Sequence, residues 1–300
     1  MQIADKSVVY PAHDKRNAPR IAVEPGEAFA VRTELASGDW LTGPDDLWSP
    51  EKSSACNPTV CVAVRGARPG DALAVEILGI EPEPFGYTSF FGGGGGLEDA
   101  ILPGNALGLR SKTVRIEGGF VLWDGGLRIP IRPMIGTLGT APAGEPIHNS
   151  RGGAHGGNMD AQEVRAGATV YLPVEVEGAL LHVGDAHAVQ GDGEIDGAGG
   201  IECRATVTLR ARPIPRPKSM RSVRIEDAEH LAAAACGEGT DASFHAAVRE
   251  LIGWMAEDYG FDEAEAYMLL AQTMEARETQ FVNPTRTYVA KVPKWALRRG

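Results

Sequence analysis

Three hundred residues, 43% of them apolar, are enough to bury a substantial core in one large domain or two ordinary ones. A net charge of −11, from 40 acidic against 29 basic side chains, lacks the basic footprint with which a general nucleic-acid binder displaces counterions. No window approaches the ~18 uninterrupted apolar residues of a spanning helix, and Met1-Gln2-Ile3-Ala4-Asp5-Lys6 has no apolar signal core, so a cytoplasmic protein with no membrane partner is expected.

The 38 glycines and 20 prolines suit a β-rich body with many tight turns, because Gly supplies positive φ and Pro a fixed one. Residues 21–23 read as a strand, and 28–33 as another after the turn dipeptide Pro25-Gly26. Residues 59–65 form a third, closed by Arg68-Pro69-Gly70-Asp71. In residues 72–80, Leu73, Val75 and Ile77 alternate with Glu76 on the other side. Residues 92–96 are five consecutive glycines, which cannot hold a regular element against the backbone entropy lost. Leu97-Glu98-Asp99 follows, not the Lys and Ser/Thr of a phosphate-cradling loop. The run reads as a surface loop, with a mobile flap over a site as its functional alternative.

Residues 169–176 and 201–210 continue the strand pattern, the latter with Ala205, Val207 and Leu209 against Thr206, Thr208 and Arg210. The expected class is mainly β with some α: a sandwich- or barrel-like body with a C-terminal helical segment. The proline-rich residues 212–217 read as a break, dividing a catalytic body (1–212) from a linker, helical hairpin and tail (213–300). Asp241 sits where an N-cap would, followed at helical spacing by Phe244, Val248, Leu251, Ile252, Met255 and Tyr259, with Gly260 as the stop. Asp262-Glu263-Ala264-Glu265 resembles a capping box opening a second helix through Tyr267, Leu270 and Met274, ended by Asn283-Pro284. Asp262, Glu263, Glu265 and Glu275 read as its solvated face.

Cys56, Cys61, Cys203 and Cys236 contain no CxxC pair, so free thiols are expected. The densest polar cluster lies between His155 and Glu202. It comprises His155-Gly156-Gly157-Asn158-Met159-Asp160, Gly184-Asp185-Ala186-His187, Gln190-Gly191-Asp192-Gly193-Glu194 and Gly200-Ile201-Glu202. Asp185 and His187 are two apart, so an extended segment sends both from one face. A carboxylate beside an imidazole is half a metal site. Asp192 and Glu194 repeat the spacing, and Asp160 can arrive from a separate loop. Asp beside Gly is also an ordinary turn signal, but several acids with His187 in one apolar-flanked stretch favour function. There is no G-x-S-x-G elbow, and Cys203, facing away from Glu202 in an alternating strand, reads as a small buried hydrophobe.

Several ordered segments resemble the acetamidase/formamidase family. GGNMD (156–160), GALLHVGDAHAVQGDGE (178–194) and GGIECRATVTL (199–209) look like its central signature. PMIGTLGTAP (133–142), RGARPGDALAVEIL (65–78) and GFDEAEAYMLLAQTMEARETQFVNP (260–284) are similar to its flanking motifs. The resemblance runs from about residue 8 to 293. It implies a homo-oligomer, dimer or higher, that hydrolyses a small-molecule amide to ammonia and a carboxylate with a divalent metal, zinc or calcium. Asp160, Asp185, His187 and Glu194 stand where the family's polar motif residues stand. The mechanism that fits places a metal on Asp160, Asp185 and His187, proton transfer on Glu194 or Glu202, and oxyanion support on Asn158 or a nearby backbone N–H. Two departures, Glu34-Leu35 after Thr33 and Val60-Cys61 after Asn57-Pro58-Thr59, lie where they could shape the pocket. The alternatives are a hydrolase of another C–N bond (cyclic amide, amidine or longer acyl amide) and a non-catalytic metal-stabilised binding protein.

Overall fold

The computed structural model describes residues 1–91, 97–102 and 108–298. The glycine run 92–96, and with it the flap reading, lies outside the described residues. The fold is mainly β, a curled and largely antiparallel sheet with few helices, as expected. Among the described residues, eighteen strands join in one continuous sheet, and a two-stranded pair, Ala12–His13 with Ile147–His148, stands apart.

The strand Leu181–Val189 lies at the centre of the part that matters here, with every residue but the last buried. It pairs antiparallel with Met134–Thr140, itself wholly buried, and with Thr59–Val64 and Ile201–Pro215. A strand covered on both faces reads as a near-continuous apolar run, which is what Leu181, Val183, Ala186 and Ala188 supply. Around it Phe29, Val31, Leu73, Val75, Ile135, Leu138, Leu172 and Leu209 form the main core.

The longest strand, Asp71–Phe91, lies against Ile201–Pro215 with Leu209 opposite Ile77 and Glu202 opposite Tyr87. That second strand runs through Arg212–Pro215, where the prolines suggest a break. Pro213 and Pro215 still pair with Leu73 and Asp71, because near a strand's end a proline removes ladder donors at little cost. Beyond it the chain returns to the sheet four more times, as Val223–Glu226, His230–Gly237, Glu275–Gln280 and Arg286–Pro293.

The first long helix, Thr240–Tyr259, is capped by Gly239 rather than Asp241, and Gly260 stops it in the left-handed region at φ 68°. In the second, Glu263–Thr273, the Asp262 side chain accepts the Glu265 N–H at 2.9 Å, as a capping box requires. This helix ends ten residues before Asn283. Glu275–Gln280 instead pairs with Arg286–Pro293, a long-range partner overriding the local helical preference of Glu-Ala-Arg-Glu. Asp262, Glu263, Glu265 and Glu275 are all exposed. Leu251, Trp254, Met255 and Leu270 pack the helices on Leu231, Ala233, Ala290 and Val292 of the sheet. The four cysteines are free.

Three buried histidines pack on one another beside the central strand, His13 with His155 at 4.9 Å and with His182 at 4.6 Å between ring centroids. Burial pulls His155 down to about 4 and His182 down to about 3, and burial with the two neighbouring imidazoles holds His13 well below its usual range. Glu175 and Asp14 oppose this and do not reverse it. The unfolded chain takes up these protons near pH ~6.5 and the folded chain only in more acid solution. Their neutral forms therefore contribute stability in full above that pH, and it is lost as pH falls toward 4 and below. Replacing His155 by Gln should flatten the decline of the urea midpoint between pH 7 and 4.5. A decline as steep as wild type would contradict this account.

Candidate active site

Gly136, in the strand Met134–Thr140, organises the site. Its carbonyl accepts the N–H of Met159 at 3.0 Å and of Asp160 at 3.2 Å, drawing the segment after Gly156–Asn158 onto the sheet. A Cβ there would lie 2.4 Å from Asp160 Oδ1 and 2.6 Å from Asp185 Oδ2, so only glycine lets both carboxylates approach. Three of the acids sit on left-handed backbone, Asp160 at φ 47°, Asp185 at φ 60° and Glu194 at φ 45°. A side-chain-bearing residue held there costs on the order of 1–3 kcal/mol and persists only where its surroundings over-determine it.

Asp185 and His187 do meet, but not by simple extension. The left-handed Asp185 drops out of the ladder, which passes from Thr137–Gly184 to Ile135–Ala186 without a shift of register. His187 Nε2 nevertheless lies 3.4 Å from Asp185 Oδ1. It is also 3.5 Å from Oε1 of Glu202, its register partner on the next strand. Asp160, Asp185 and His187 can each turn one ligand atom to a common point, all within 4.8 Å of one another. Cys203 faces the opposite side, in an apolar cluster with Val114, Val121 and Ala188.

All five ionisable groups are buried. Among the described residues no lysine or arginine forms an ion pair with Asp160, Asp185, Glu194 or Glu202. Burial and the charge of Asp185 push Asp160 up to about 7. Burial and Asp160 hold Glu194 well above the usual carboxylate range, and burial and Asp185 do the same to Glu202. For Asp185 burial acts upward, but the hydrogen bond and charge of His187, with Glu202 and Thr137, bring it below its usual value. For His187 burial acts downward and is outweighed by Asp185 and Asp160, so it is raised. Asp160 Oδ1, His187 Nδ1, Glu194 Oε2 and Glu202 Oε2 are buried without a hydrogen-bond partner. A cluster so short of positive charge and so supplied with orphaned donor atoms fits a cation.

Glu194, Glu202 and Asp185 line a cavity of about 170 Å³ whose wall includes Trp48, Asn57, Tyr87, Val282 and Asn283. Asn158 does not reach it. Its carboxamide oxygen lies 2.6 Å from Thr137 Oγ1, opposite it in register, and Thr137 Oγ1 is 3.1 Å from Asp185 Oδ2. Thr137 has one hydroxyl proton for these two acceptor oxygens, so Asn158 and Asp185 compete for it, and strand pairing leaves Asn158 outside the cavity lining. Asp192 turns away, to Arg277 at 3.0 Å and Gln162 at 3.1 Å, and His155 belongs to the histidine group. Of the two departures noted in sequence, Glu34 is tied to Lys6 and Arg204, and Cys61 packs with Ala141 and Leu180. A larger groove of about 470 Å³ between the helices is lined by Phe244, Val248, Ile252, Met274 and neighbours, with no carboxylate among them.

Gly136, Thr137, Asn57, Tyr87 and Asn283 were not singled out by sequence. Gly136 and Thr137 sit inside PMIGTLGTAP, whose tight Gly-Thr step is the signal that could have found them. Asn57, Tyr87 and Asn283 come from distant elements and carry no local signal.

A sequence model described as the Acetamidase/Formamidase family matches residues 13–152 and 143–295. An acetamidase from Bacillus halodurans shares 32% identity and superposes with a TM-score of 0.88, covering 97% of each chain. An acetamidase from Yersinia enterocolitica shares 28% with a TM-score of 0.89, covering 99% of this chain and 93% of its own. An acetamidase from Mycolicibacterium smegmatis is 32% identical over 200 residues, 47% of this chain and 49% of its own. The chain matches about half the length of curated relatives of this kind.

Gly136→Ala should force the two carboxylates apart. The variant is expected to fold, to unfold a few degrees earlier, and to lose most of its affinity for zinc in a chelator-competition titration. Wild-type zinc affinity in this variant would show that the two carboxylates do not share an ion.

Proposed function

Because the chain belongs to the acetamidase/formamidase family, we propose that it hydrolyses short aliphatic amides, of the formamide and acetamide class, to ammonia and a carboxylate. The observation that carries this reading is the placement of two buried carboxyl groups, Glu194 and Glu202, on a small cavity that also reaches Asp185. Asp160, Asp185 and His187 would hold a divalent ion. One imidazole with two carboxylates suits zinc, whereas calcium takes six to eight oxygens. Such an ion supplies Lewis acidity, polarising a carbonyl and lowering the pKa of water.

The chain's own residues do the rest. Water adds to the amide carbon while Glu194, as carboxylate, accepts its proton; when the C–N bond breaks, that proton passes to nitrogen and ammonia leaves. An amide nitrogen is a poor leaving group, so the acid half of this exchange is as necessary as the base half. Glu202, facing His187, is the second candidate for the same transfer. Thr137 holds Asp185 through its hydroxyl, and with Asn158 outside the cavity lining, oxyanion support falls to a nearby backbone N–H. Trp48 and Val282 close the cavity against long acyl chains. Cytoplasmic placement and homo-oligomeric assembly belong to the same proposal; among the described residues no helix is long and apolar enough to cross a membrane.

The test is ammonia release from formamide, acetamide and propionamide by metal-stripped protein, before and after adding zinc or calcium. Metal-restored release is expected, with propionamide slowest. Glu194→Gln should keep its metal and lose about 10²–10⁴-fold in kcat, while Asp185→Ala should lose both metal and turnover. Full activity in Glu194→Gln would move the proton to Glu202, and normal metal content in Asp185→Ala would remove it from the ligand set. No release from any of the three, with metal bound, would overturn the substrate class and leave another C–N bond or a non-catalytic role.

A further inference from the structure

The two carboxylate oxygens of Asp160 lie in different surroundings. Oδ2 accepts a hydrogen bond from Asn283 Nδ2 at 2.8 Å. Oδ1 is buried with no hydrogen-bond partner, on the side that faces Gly136 and Asp185. A carboxylate that binds an ion through one oxygen needs the other one held, or the group turns about its last torsion and presents the wrong atom. We propose that Asn283 is the residue that holds it: a positioning residue that fixes Oδ2 so that Oδ1 faces the point shared with Asp185 and His187. The proposal rests on the metal reading above.

Both ends of this link are anchored. Asn283 lies in the connection between the strands Glu275–Gln280 and Arg286–Pro293. Its N–H donates to Gln280 Oε1 at 3.0 Å, and its carbonyl accepts from Arg286 Nη1 at 2.7 Å. Gln280 is fully buried, and its amide also donates to the Thr285 carbonyl, closing the turn from within. On the other side, the Asp160 carbonyl accepts from Gln190 Nε2 at 2.9 Å and its N–H donates to Gly136. With both backbones fixed, the carboxamide sets the angle of the carboxylate. The corresponding contact at Asp185, from Asn57 Nδ2, is longer at 3.4 Å, and Thr137 and His187 brace that residue as well. The Asp160 side chain is met by the Glu194 carboxyl and by Asn283, and of these two Asn283 brings the neutral N–H donor. The connection that carries Asn283 also carries Val282 on the cavity wall, so the C-terminal part of the chain contributes to a site whose acids and imidazole come from residues 160–202.

Asn283 also borders the cavity, so the competing role is direct contact with the amide. Asn283→Leu keeps the approximate shape and removes the donor, and Asn283→Gln restores a donor on a longer arm. Zinc affinity is measured by chelator competition on each full-length protein, with kcat and KM for acetamide at saturating zinc. Asn283→Leu should bind zinc about 10–100-fold more weakly, with KM near wild type and kcat recovered once zinc saturates. Asn283→Gln should regain part of the affinity, which general loosening of the fold would not allow. Unchanged zinc affinity with a raised KM would overturn the proposal and make Asn283 a substrate contact. Failure of the wild-type protein to bind zinc at all would instead defeat the metal reading, before Asn283 came into question.

Discussion

Four carboxylates and one imidazole are buried together in this protein, and among the described residues no lysine or arginine pairs with them. Isolated ionised groups in a low-dielectric interior are so costly that proteins neutralise, pair or coordinate them. Protons account for part of the answer here, since Glu194 and Glu202 are driven well above the usual carboxylate range and Asp160 reaches about 7. The unpartnered Oδ1 of Asp160 is the remainder, and a divalent ion shared with Asp185 and His187 would satisfy it. Much of the local backbone serves this one requirement: left-handed acids, a strand glycine with no room for a methyl group, and a break in the ladder at Asp185.

The surrounding β body makes such a cluster sustainable. Met134–Thr140 and Leu181–Val189 are buried almost throughout and hydrogen-bonded on both sides, so the residues they present have little freedom to relax apart. Sites on strands hold geometry better than sites on loops alone. This one combines the two, with Asp185, His187 and Glu202 on strands and Asp160 and Glu194 on loops pinned by Gly136 and Gly199. A Cβ on Gly199 would fall 1.9 Å from Glu194 Oε1, a restriction parallel to that at Gly136. Asp185, Glu194 and Glu202 line the cavity, whereas Asp160 and His187 do not.

Local patterns made the β class, most strand positions, the first helix's stop at Gly260 and the Asp262 cap legible in the sequence. The grouping of Asp160, Asp185 and His187 was legible too, because Asp185 and His187 are two apart and Asp160 lies in the same polar, glycine-rich stretch. Features that depend on distant partners were not. Arg212–Pro215 stays in its strand because Asp71–Leu73 lies beside it, and Glu275–Gln280 becomes a strand because Arg286–Pro293 does. Asn158 faces Thr137 rather than the cavity for the same reason, since its register is set by a neighbouring strand. Asn283, which reads as a helix terminator, reaches Asp160 across 123 positions of sequence. Alternation also predicted that Asp185 and His187 would meet, although the backbone between them is not extended.

The central claim is that Asp160, Asp185 and His187 converge because they share an ion. Anomalous diffraction on crystals grown with zinc, recorded on both sides of the zinc absorption edge, tests it most directly. The account predicts one strong peak within bonding distance of all three side chains, about 2.0–2.2 Å from each donor atom. A zinc-loaded crystal with no peak there, or with its peak on other residues, would contradict it and leave the cluster to be explained by protons alone.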